Sequence, residues 1–198
     1  MTDPQSWVAP TYTRLADLLD AGPAAAWDTP SLCDKWLVRH VVAHVTMPVR
    51  LTPERFGAEM AAAGGDFAVL SDTVAERDSA LPAADLLAQL RSPRLHAWRP
   101  PGGGEAGALS HAVIHSLDAT VALGAPPAAP AEAVTALLGM LTAADGSLFG
   151  VDLSGARLEA SDADWSWGDG TLVRAGSGEL VSLLSGRTLP DGRALPRR

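Results

Sequence analysis

Apolar side chains recur every three or four residues along most of the first 150 positions, which is the spacing of amphipathic helices. The first clear example is the leucine-rich segment 11–20, which a Gly-Pro breaker follows. The second is the segment 36–45, in which Leu37, Val41 and Val45 recur at four-residue intervals. That period favours a helix over a strand, although valine is common in strands. The pattern therefore predicts two helices in the first quarter of the chain.

The helical pattern continues beyond the second helix, with clear breaks. Pro48 ends or bends the second helix, and the run Pro-Pro-Gly-Gly-Gly at 100–104 must form a loop. Gly124 ends the longest of the later helical segments. The acidic residues of the segment 71–78 are most simply the exposed face of a helix. The later predicted helices cover residues 54–63, 67–77, 82–90, 105–123 and 131–142.

At about residue 151, alternation replaces the helical period. Two segments alternate like strands and flank the turn-rich residues 167–170, and a short helical pattern follows at 179–184. The two predicted strands cover residues 157–160 and 171–174. We therefore predict a mainly α protein. A helical bundle occupies residues 1–150, and a short α+β appendage, a hairpin plus a helix, occupies residues 151–198.

Composition narrows the class of protein and its partners. With 198 residues, of which 47% are hydrophobic, the chain can bury a substantial core. Its 15 Lys and Arg residues against 23 Asp and Glu residues give a formal charge of −8, so it lacks the positive field that nucleic acid or anionic lipid requires. The first residues show no signal-peptide pattern, and no run of about 18 apolar residues occurs. We expect a cytoplasmic protein that binds neither nucleic acid nor membrane.

The single cysteine, Cys33, excludes an internal disulfide and a zinc site made only of thiolates. No general base such as histidine lies beside it in the sequence, so we do not expect Cys33 to be a nucleophile. Thiol chemistry would therefore need a thiol from outside. Metal sites made of histidine and carboxylate remain open.

Four of the five histidines form two His-x-x-x-His pairs in two different predicted helices. His111, His115 and Asp118 fall within about 60° of one another on a helical wheel and share one face. On the earlier helix, His44 lies within the apolar stripe, so its imidazole is expected to face the bundle interior. His40 lies at the edge of that stripe.

This spacing suits a metal ion. Two imidazoles four residues apart on a helix can bind one ion, and a third from a facing helix completes the set. Three protein ligands leave positions open for water or substrate, as in catalytic zinc sites, whereas structural sites have four. We predict that His44, His111 and His115 bind a divalent metal, with zinc the expected ion. The alternative is that they are bundle histidines hydrogen-bonded to carboxylates or backbone.

Three blocks of sequence carry a family resemblance. Residues 30–44 read P-S-L-C-D-K-W-L-V-R-H-V-V-A-H, residues 111–118 read H-A-V-I-H-S-L-D, and a third block extends from Leu158 to Arg187. The blocks resemble, in the same order, the mycothiol-dependent maleylpyruvate isomerase family of the DinB-like superfamily. The first fits that family's pattern P-[TS]-x-C-x-x-W-x-V-x-[DH]-V-V-x-H.

The resemblance implies a DinB-like four-helix bundle that holds a divalent metal, usually zinc, on His44, His111 and His115. It also implies an activated small thiol, such as mycothiol, as co-substrate. The isomerase has Glu at the position of His111, so a set of three imidazoles is closer to the wider DinB-like and thiol-transferase pattern. DinB-like bundles often dimerise, which leaves a homodimer open.

Asp118 and Arg187 are the candidate catalytic residues. Asp118 is placed either to accept the free ring N–H of a ligand histidine, to act as a base, or to pair with an arginine. Arg187 is suited to a carboxylate of the substrate or thiol, or else complements the dipole of a helix end.

Together these features predict a metal-dependent thiol S-transferase or thiol-assisted isomerase that acts on an electrophilic small molecule. One alternative is a hydrolase that uses the same metal to activate water. The other is a non-catalytic protein of the same fold that binds a small molecule or a structural metal, for which His40 is a candidate fourth ligand.

Overall fold

Helices make up most of the protein in the computed structural model, which describes residues 3–198. The α-helices are α1 (Val8–Ala21), α2 (Val38–Val45), α3 (Met47–Arg50), α4 (Pro53–Ala62), α5 (Phe67–Asp78), α6 (Ala83–Leu90), α7 (Pro93–His96), α8 (Gly104–Thr120), α9 (Ala131–Ala143) and α10 (Ser177–Leu184). The strands are β1 (Ala156–Ala160), β2 (Ser166–Gly168) and β3 (Thr171–Ala175). The predicted mainly α class with a short C-terminal strand region is confirmed. None of the helices formed by residues 3–198 is both long and apolar enough to cross a lipid bilayer.

The predicted helices occur within a few residues of their expected bounds, and the differences lie at prolines and glycines. Pro48 does end α2, but a new short helix, α3, begins at once with Pro48 near its N-terminus, where a missing N–H costs no helical hydrogen bond. Pro82 precedes α6 and does not form its first turn. The regular part of α8 ends at Thr120, before Gly124, which adopts a left-handed φ of 62°.

Helix α8 lies at the centre of the protein and buries two faces. Its small residues, such as Ala108 and Ala112, pack in one apolar cluster with α1, α2 and α6. Its larger residues, such as Leu109 and Leu117, pack in a second cluster with α9, α10 and the sheet. Small side chains on the first face allow α1 and α2 to approach closely, and the histidines of α8 lie on this side.

The C-terminal segment packs on the bundle through that second cluster. Val151, Leu158 and Leu180 are buried in the same cluster as Leu117 and Leu137. This shared core fixes the end of α10, and the residues that follow it, beside α8. The boundary at residue 150 stays a prediction, because apolar contacts are continuous across it.

The sheet differs from the predicted hairpin. The two strands expected to form it, β1 and β3, are parallel, and β1 lies between β3 and an antiparallel β2. After β2 the chain crosses the start of β1 at Gly168 and Gly170, where a Cβ would clash with the carbonyls of Ala156 and Gly155. The prediction of a hairpin from residues 157–160 and 171–174 was therefore wrong: the stretch interpreted as a turn contains β2 and the crossing.

Candidate metal centre

The short helix α2 presents two histidines in different directions. At its N-terminus His40 Nδ1 accepts the N–H of Leu37 (3.1 Å), and His40 Nε2 lies 3.1 Å from a carboxylate oxygen of Glu76 in α5. One turn later, His44 is buried and points into the bundle. Both ring nitrogens of His40 are thus engaged elsewhere, so the structure does not favour His40 as a fourth ligand.

His44, His111 and His115 form a compact triangle, the histidine cluster. One ring nitrogen of each lies within 4.8 Å of those of the other two. Nε2 of His44 and Nε2 of His111 are 3.3 Å apart. The ring centroids are separated by 4.8 to 5.2 Å. The structure therefore brings together the three residues that the sequence predicts as ligands, from α2 and from one face of α8.

Each imidazole of the histidine cluster is held from behind through Nδ1. The partner atoms are Ser71 Oγ of α5 for His44 (2.8 Å), Tyr12 Oη of α1 for His111 (2.9 Å) and Asp118 Oδ2 for His115 (2.9 Å). With Nδ1 engaged outward, Nε2 is the nitrogen of each ring left for a ligand. Four helices thus determine the orientation of the three rings.

The electrostatic surroundings keep two of the rings neutral. Burial, and secondarily the charge of His115, lowers the pKa of His44 well below its ordinary value. Burial, with His115 and His44 adding to it, lowers the pKa of His111 in the same direction. A neutral imidazole has a free lone pair, which is the form that binds metal ions.

Asp118 lies behind His115 and is completely buried. Its Oδ1 accepts from Nε of Arg187 (2.8 Å), and its Oδ2 accepts from Nη2 of Arg187 (3.0 Å) and from His115. Burial alone would raise the pKa of this carboxyl, but the hydrogen bonds from His115 and Arg187 hold it well below its usual range. Of the roles predicted for Asp118, the geometry favours two: it accepts the ring N–H of His115, and it pairs with an arginine. A role as a free base is disfavoured.

Arg187 follows α10 and links the C-terminal segment to this site. Its guanidinium pairs with Asp118 through two nitrogens, and Nη2 also lies 3.2 Å from Sγ of Cys33. The side chain is 23% exposed and faces the cavity described below. The buried carboxylate of Asp118 accepts from Nε and Nη2 of Arg187. Arg187 therefore does more than complement the dipole of a helix end, and those two nitrogens are not free to bind a carboxylate of the substrate or thiol.

Cys33 lies in the site, which the sequence did not predict. Its Sγ–H donates to Asp118 Oδ2 (3.0 Å). Burial, followed by the charge of Asp118, raises the pKa of the thiol. A protonated thiol is a poor nucleophile, so the interpretation of Cys33 as a non-nucleophilic residue agrees with its surroundings. Atoms of Cys33, His115 and Asp118 also cluster within 4.8 Å, but the guanidinium of Arg187 contacts two of them and disfavours a cation there.

A cavity of about 610 Å³ opens onto the histidine cluster. His44 and His115 contribute to its wall, beside Cys33 and Arg187. Aromatic side chains form much of the remaining lining, namely Trp36, Phe67 and Phe149. The space is sufficient for a small molecule to reach the histidines.

Sequence reasoning missed the residues behind the histidines. Ser71 belongs to the acidic segment interpreted as an exposed face, yet it is buried, and Asp72 and Glu76 accept hydrogen bonds from Trp36 and His40. Tyr12 lies 99 positions from His111 in the sequence. No local pattern marks such pairs. The one usable signal was that α1 and α5 are amphipathic and must pack on the ligand helices.

Comparisons with known proteins agree with this architecture. Residues 8–144 match the family model described as the mycothiol maleylpyruvate isomerase N-terminal domain, and this range includes the whole histidine cluster. A comparison with curated proteins gives no match.

Two solved structures share the fold. One is a crystal structure of a histidine-to-alanine mutant of the mycothiol-dependent maleylpyruvate isomerase, with a TM-score of 0.60 and 15% identity over 98% of this chain and 95% of that chain. The other is a crystal structure of the mycothiol-dependent maleylpyruvate isomerase, with a TM-score of 0.53, 16% identity and the same coverage. At such low identity the likeness shows a common fold that extends through the C-terminal segment.

Proposed function

Because the chain belongs to the mycothiol maleylpyruvate isomerase N-terminal domain family, we propose that it is a metal-dependent enzyme that uses mycothiol or a similar small thiol. Its reaction is thiol-assisted isomerisation or S-transfer on an electrophilic small molecule. Family membership supports the thiol and the isomerase class. The choice between isomerisation and transfer, the electrophile and the metal are parts of the proposal.

The observation that carries the proposal is the convergence of three imidazole nitrogens, one from each ring, beside a cavity. Each ring of the histidine cluster is held from behind through Nδ1, and one nitrogen of each ring lies close to those of the other two. Nitrogen sets of this kind suit zinc, iron, nickel or copper better than magnesium or calcium. His44, His111 and His115 would hold the ion, and a set of three leaves room for an outside ligand.

A divalent cation held by these nitrogens would lower the pKa of a thiol so that it deprotonates near neutral pH. The protein's own thiol is unsuitable for the reaction, because burial and Asp118 keep Cys33 protonated. The reacting thiol therefore enters through the cavity. The need for an outside thiol agrees with a thiol co-substrate. A thiol co-substrate in turn agrees with a cytoplasmic protein, since small thiols stay reduced in that compartment.

The chain's other residues position the reactants and exclude water. Trp36, Phe67 and Phe149 give the cavity apolar walls. Arg187 and Arg197 line the cavity. Arg187 is paired with Asp118, so the guanidinium of Arg197, which donates to a backbone carbonyl, is the one better suited to an anionic group on either reactant. Asp118 acts through His115. It accepts a hydrogen bond from Nδ1–H of that ring, which makes the imidazole a stronger ligand for a metal ion.

Metal analysis and thiol titration test the proposal. Protein purified without added metal is expected to contain one divalent ion per chain, and calorimetric titration with mycothiol is expected to show binding that a chelator abolishes. His44→Ala should lose the ion and the thiol binding. His96→Gln is the matched control, because the ring of His96 bonds to the Leu90 carbonyl outside the cluster.

The proposal fails if wild-type protein binds neither zinc nor other divalent ions and His44→Ala changes neither stability nor ligand binding. A hydrolase built on the same metal would bind the ion but ignore mycothiol. Thermal shift with mycothiol, with and without chelator, therefore separates the two reactions.

A further inference from the structure

Tyr12 is the most deeply buried hydroxyl-bearing side chain that contacts the histidine cluster. It is 1% exposed, and its ring packs in one apolar cluster with Leu15, Ala108 and Ala112. Its hydroxyl lies 2.9 Å from His111 Nδ1. Burial raises the pKa of this phenol, so the group remains a neutral hydroxyl. This packing holds the hydroxyl oxygen beside His111.

His111 is bounded on three sides. Tyr12 contacts Nδ1, Trp98 packs edge-on against the ring with 5.1 Å between centroids, and His44 Nε2 lies 3.3 Å from His111 Nε2. Between the two facing Nε2 atoms at this distance, one nitrogen donates a hydrogen and the other accepts it. One of these two imidazoles therefore carries its proton on Nε2 when no ion is present.

The three Nδ1 partners differ in what they permit. The Asp118 carboxylate only accepts, so it fixes the His115 proton on Nδ1. A hydroxyl both donates and accepts, so Tyr12 satisfies His111 in either tautomer. Binding of a cation at Nε2 requires the proton to be on Nδ1. A phenol held at Nδ1 accepts a hydrogen bond from that N–H without any movement of the ring.

We propose that Tyr12 is the positioning residue of His111: its hydroxyl holds the ring with Nε2 towards His44, and its oxygen accepts a hydrogen bond from Nδ1–H when Nε2 binds a divalent cation. This inference rests on the proposed metal site. It assigns to α1, which contributes no ligand, a direct part in metal affinity.

The test compares Tyr12→Phe with Thr11→Val. Both remove one buried hydroxyl from the same helix, but the Thr11 hydroxyl donates to the Trp7 carbonyl and has no contact with the cluster. Zn²⁺ affinity is measured by competition with a chromophoric chelator, and the site is observed through the visible spectrum of bound Co²⁺. Tyr12→Phe is expected to lower Zn²⁺ affinity by about 10- to 100-fold and to alter the Co²⁺ spectrum, as loss of a ligand's hydrogen-bond partner does. Thr11→Val should match wild type in both.

A double-mutant cycle separates contact with His111 from a general loss of stability. In a His111→Ala background, Tyr12→Phe should have no further effect on Zn²⁺ affinity, because the ring that it positions is absent. An undiminished effect in that background would overturn the inference. So would equal losses in Tyr12→Phe and Thr11→Val, or wild-type affinity in Tyr12→Phe.

The outcomes also distinguish this inference from the proposed function. Absence of Zn²⁺ binding in wild type removes the proposed function, and the inference with it. Binding in wild type with no change in Tyr12→Phe removes the inference alone. If Tyr12→Phe does not fold, ¹⁵N spectra of the wild-type imidazoles decide: a Zn²⁺-loaded His111 without a proton on Nδ1 overturns the inference, and one with a hydrogen-bonded Nδ1–H supports it.

Discussion

Two polar clusters contact the ligand helix α2, and their hydrogen bonds are arranged differently. In the arginine cluster, Arg50 pairs with Asp78 (2.7 Å) and donates to Thr46, Gln89 and the Ala43 carbonyl. Every charge there meets an opposite charge or a hydrogen-bond acceptor. In the histidine cluster, one nitrogen of each ring faces the other two, and His44 and His115 line a cavity.

The difference separates a cluster that stabilises the fold from a cluster that is suited to bind a ligand. The arginine cluster joins α3, α5 and α6 to the C-terminal end of α2, so its hydrogen bonds are complete within the protein. In the histidine cluster the outer nitrogens bond to partners outside the triangle, whereas the inner nitrogens of His44 and His111 have only each other. Nitrogens left facing one another beside a cavity are costly to keep without a ligand, which favours a binding role for them.

Asp118→Asn is expected to have the largest effect, because Asp118 connects the histidine cluster to a buried charge. The substitution leaves the Arg187 guanidinium without its carboxylate, so the unfolding free energy should fall by about 3 kcal/mol. Metal affinity should fall as well, since His115 loses a charged acceptor. Urea unfolding and chelator competition measure the two effects. Asp72→Asn is the control, because its carboxylate is exposed and accepts only from Trp36.

Arg50→Met tests the expectation that the arginine cluster contributes to stability and not to metal affinity. Loss of the guanidinium leaves Asp78 with Arg77 alone, so the unfolding free energy should fall by about 2 kcal/mol. The folded variant should keep wild-type metal affinity, because Arg50 contacts none of the three imidazoles. A large loss of affinity in folded Arg50→Met would break the proposed division between the two clusters.

Ser71→Ala probes the histidine cluster with a smaller change. His44 loses the hydroxyl at Nδ1, so metal affinity should fall by about tenfold. Stability should change by only about 1 kcal/mol. Thr73→Ala is the control on the same helix, since its hydroxyl is exposed and donates to the Val69 carbonyl. Equal affinity in both variants would contradict the role of Ser71.

The smallest effect concerns pH and the arginine cluster. Although burial opposes it, hydrogen bonds from Arg77 and Arg50 lower the pKa of the Asp78 carboxyl below its ordinary value of 3.8. The folded state then binds a proton less readily than the unfolded state, so this pair stabilises the protein above about pH 4 and loses that contribution as pH falls further. Asp78→Asn should flatten the acid side of the stability profile measured by urea unfolding. An unchanged profile would show that the Arg50–Asp78 pair contributes nothing to acid stability.

Much of the fold was predictable because it depends on local periodicity. Amphipathic spacing located the helices, and the i, i+4 and i, i+7 positions placed His111, His115 and Asp118 on one face. The sheet was not predictable in the same way, because β2 has only three residues, and Gly168 and Gly170 signal a turn. Whether β1 and β3 are parallel depends on how the chain crosses β1, which no local pattern encodes.

The sequence by itself determined the helices, the mainly α class, the family and the three histidines that could share a metal. These follow from residue types at short, fixed separations. Only the tertiary structure decided that Tyr12 and Ser71 hold two of the rings and that His40 stands apart. It also decided which of the roles predicted for Asp118 the geometry favours, and it placed Arg187 and Cys33 around that carboxylate. Hydrogen-bond partners are chosen among atoms brought together by packing, and those atoms lie up to 99 positions apart along this chain.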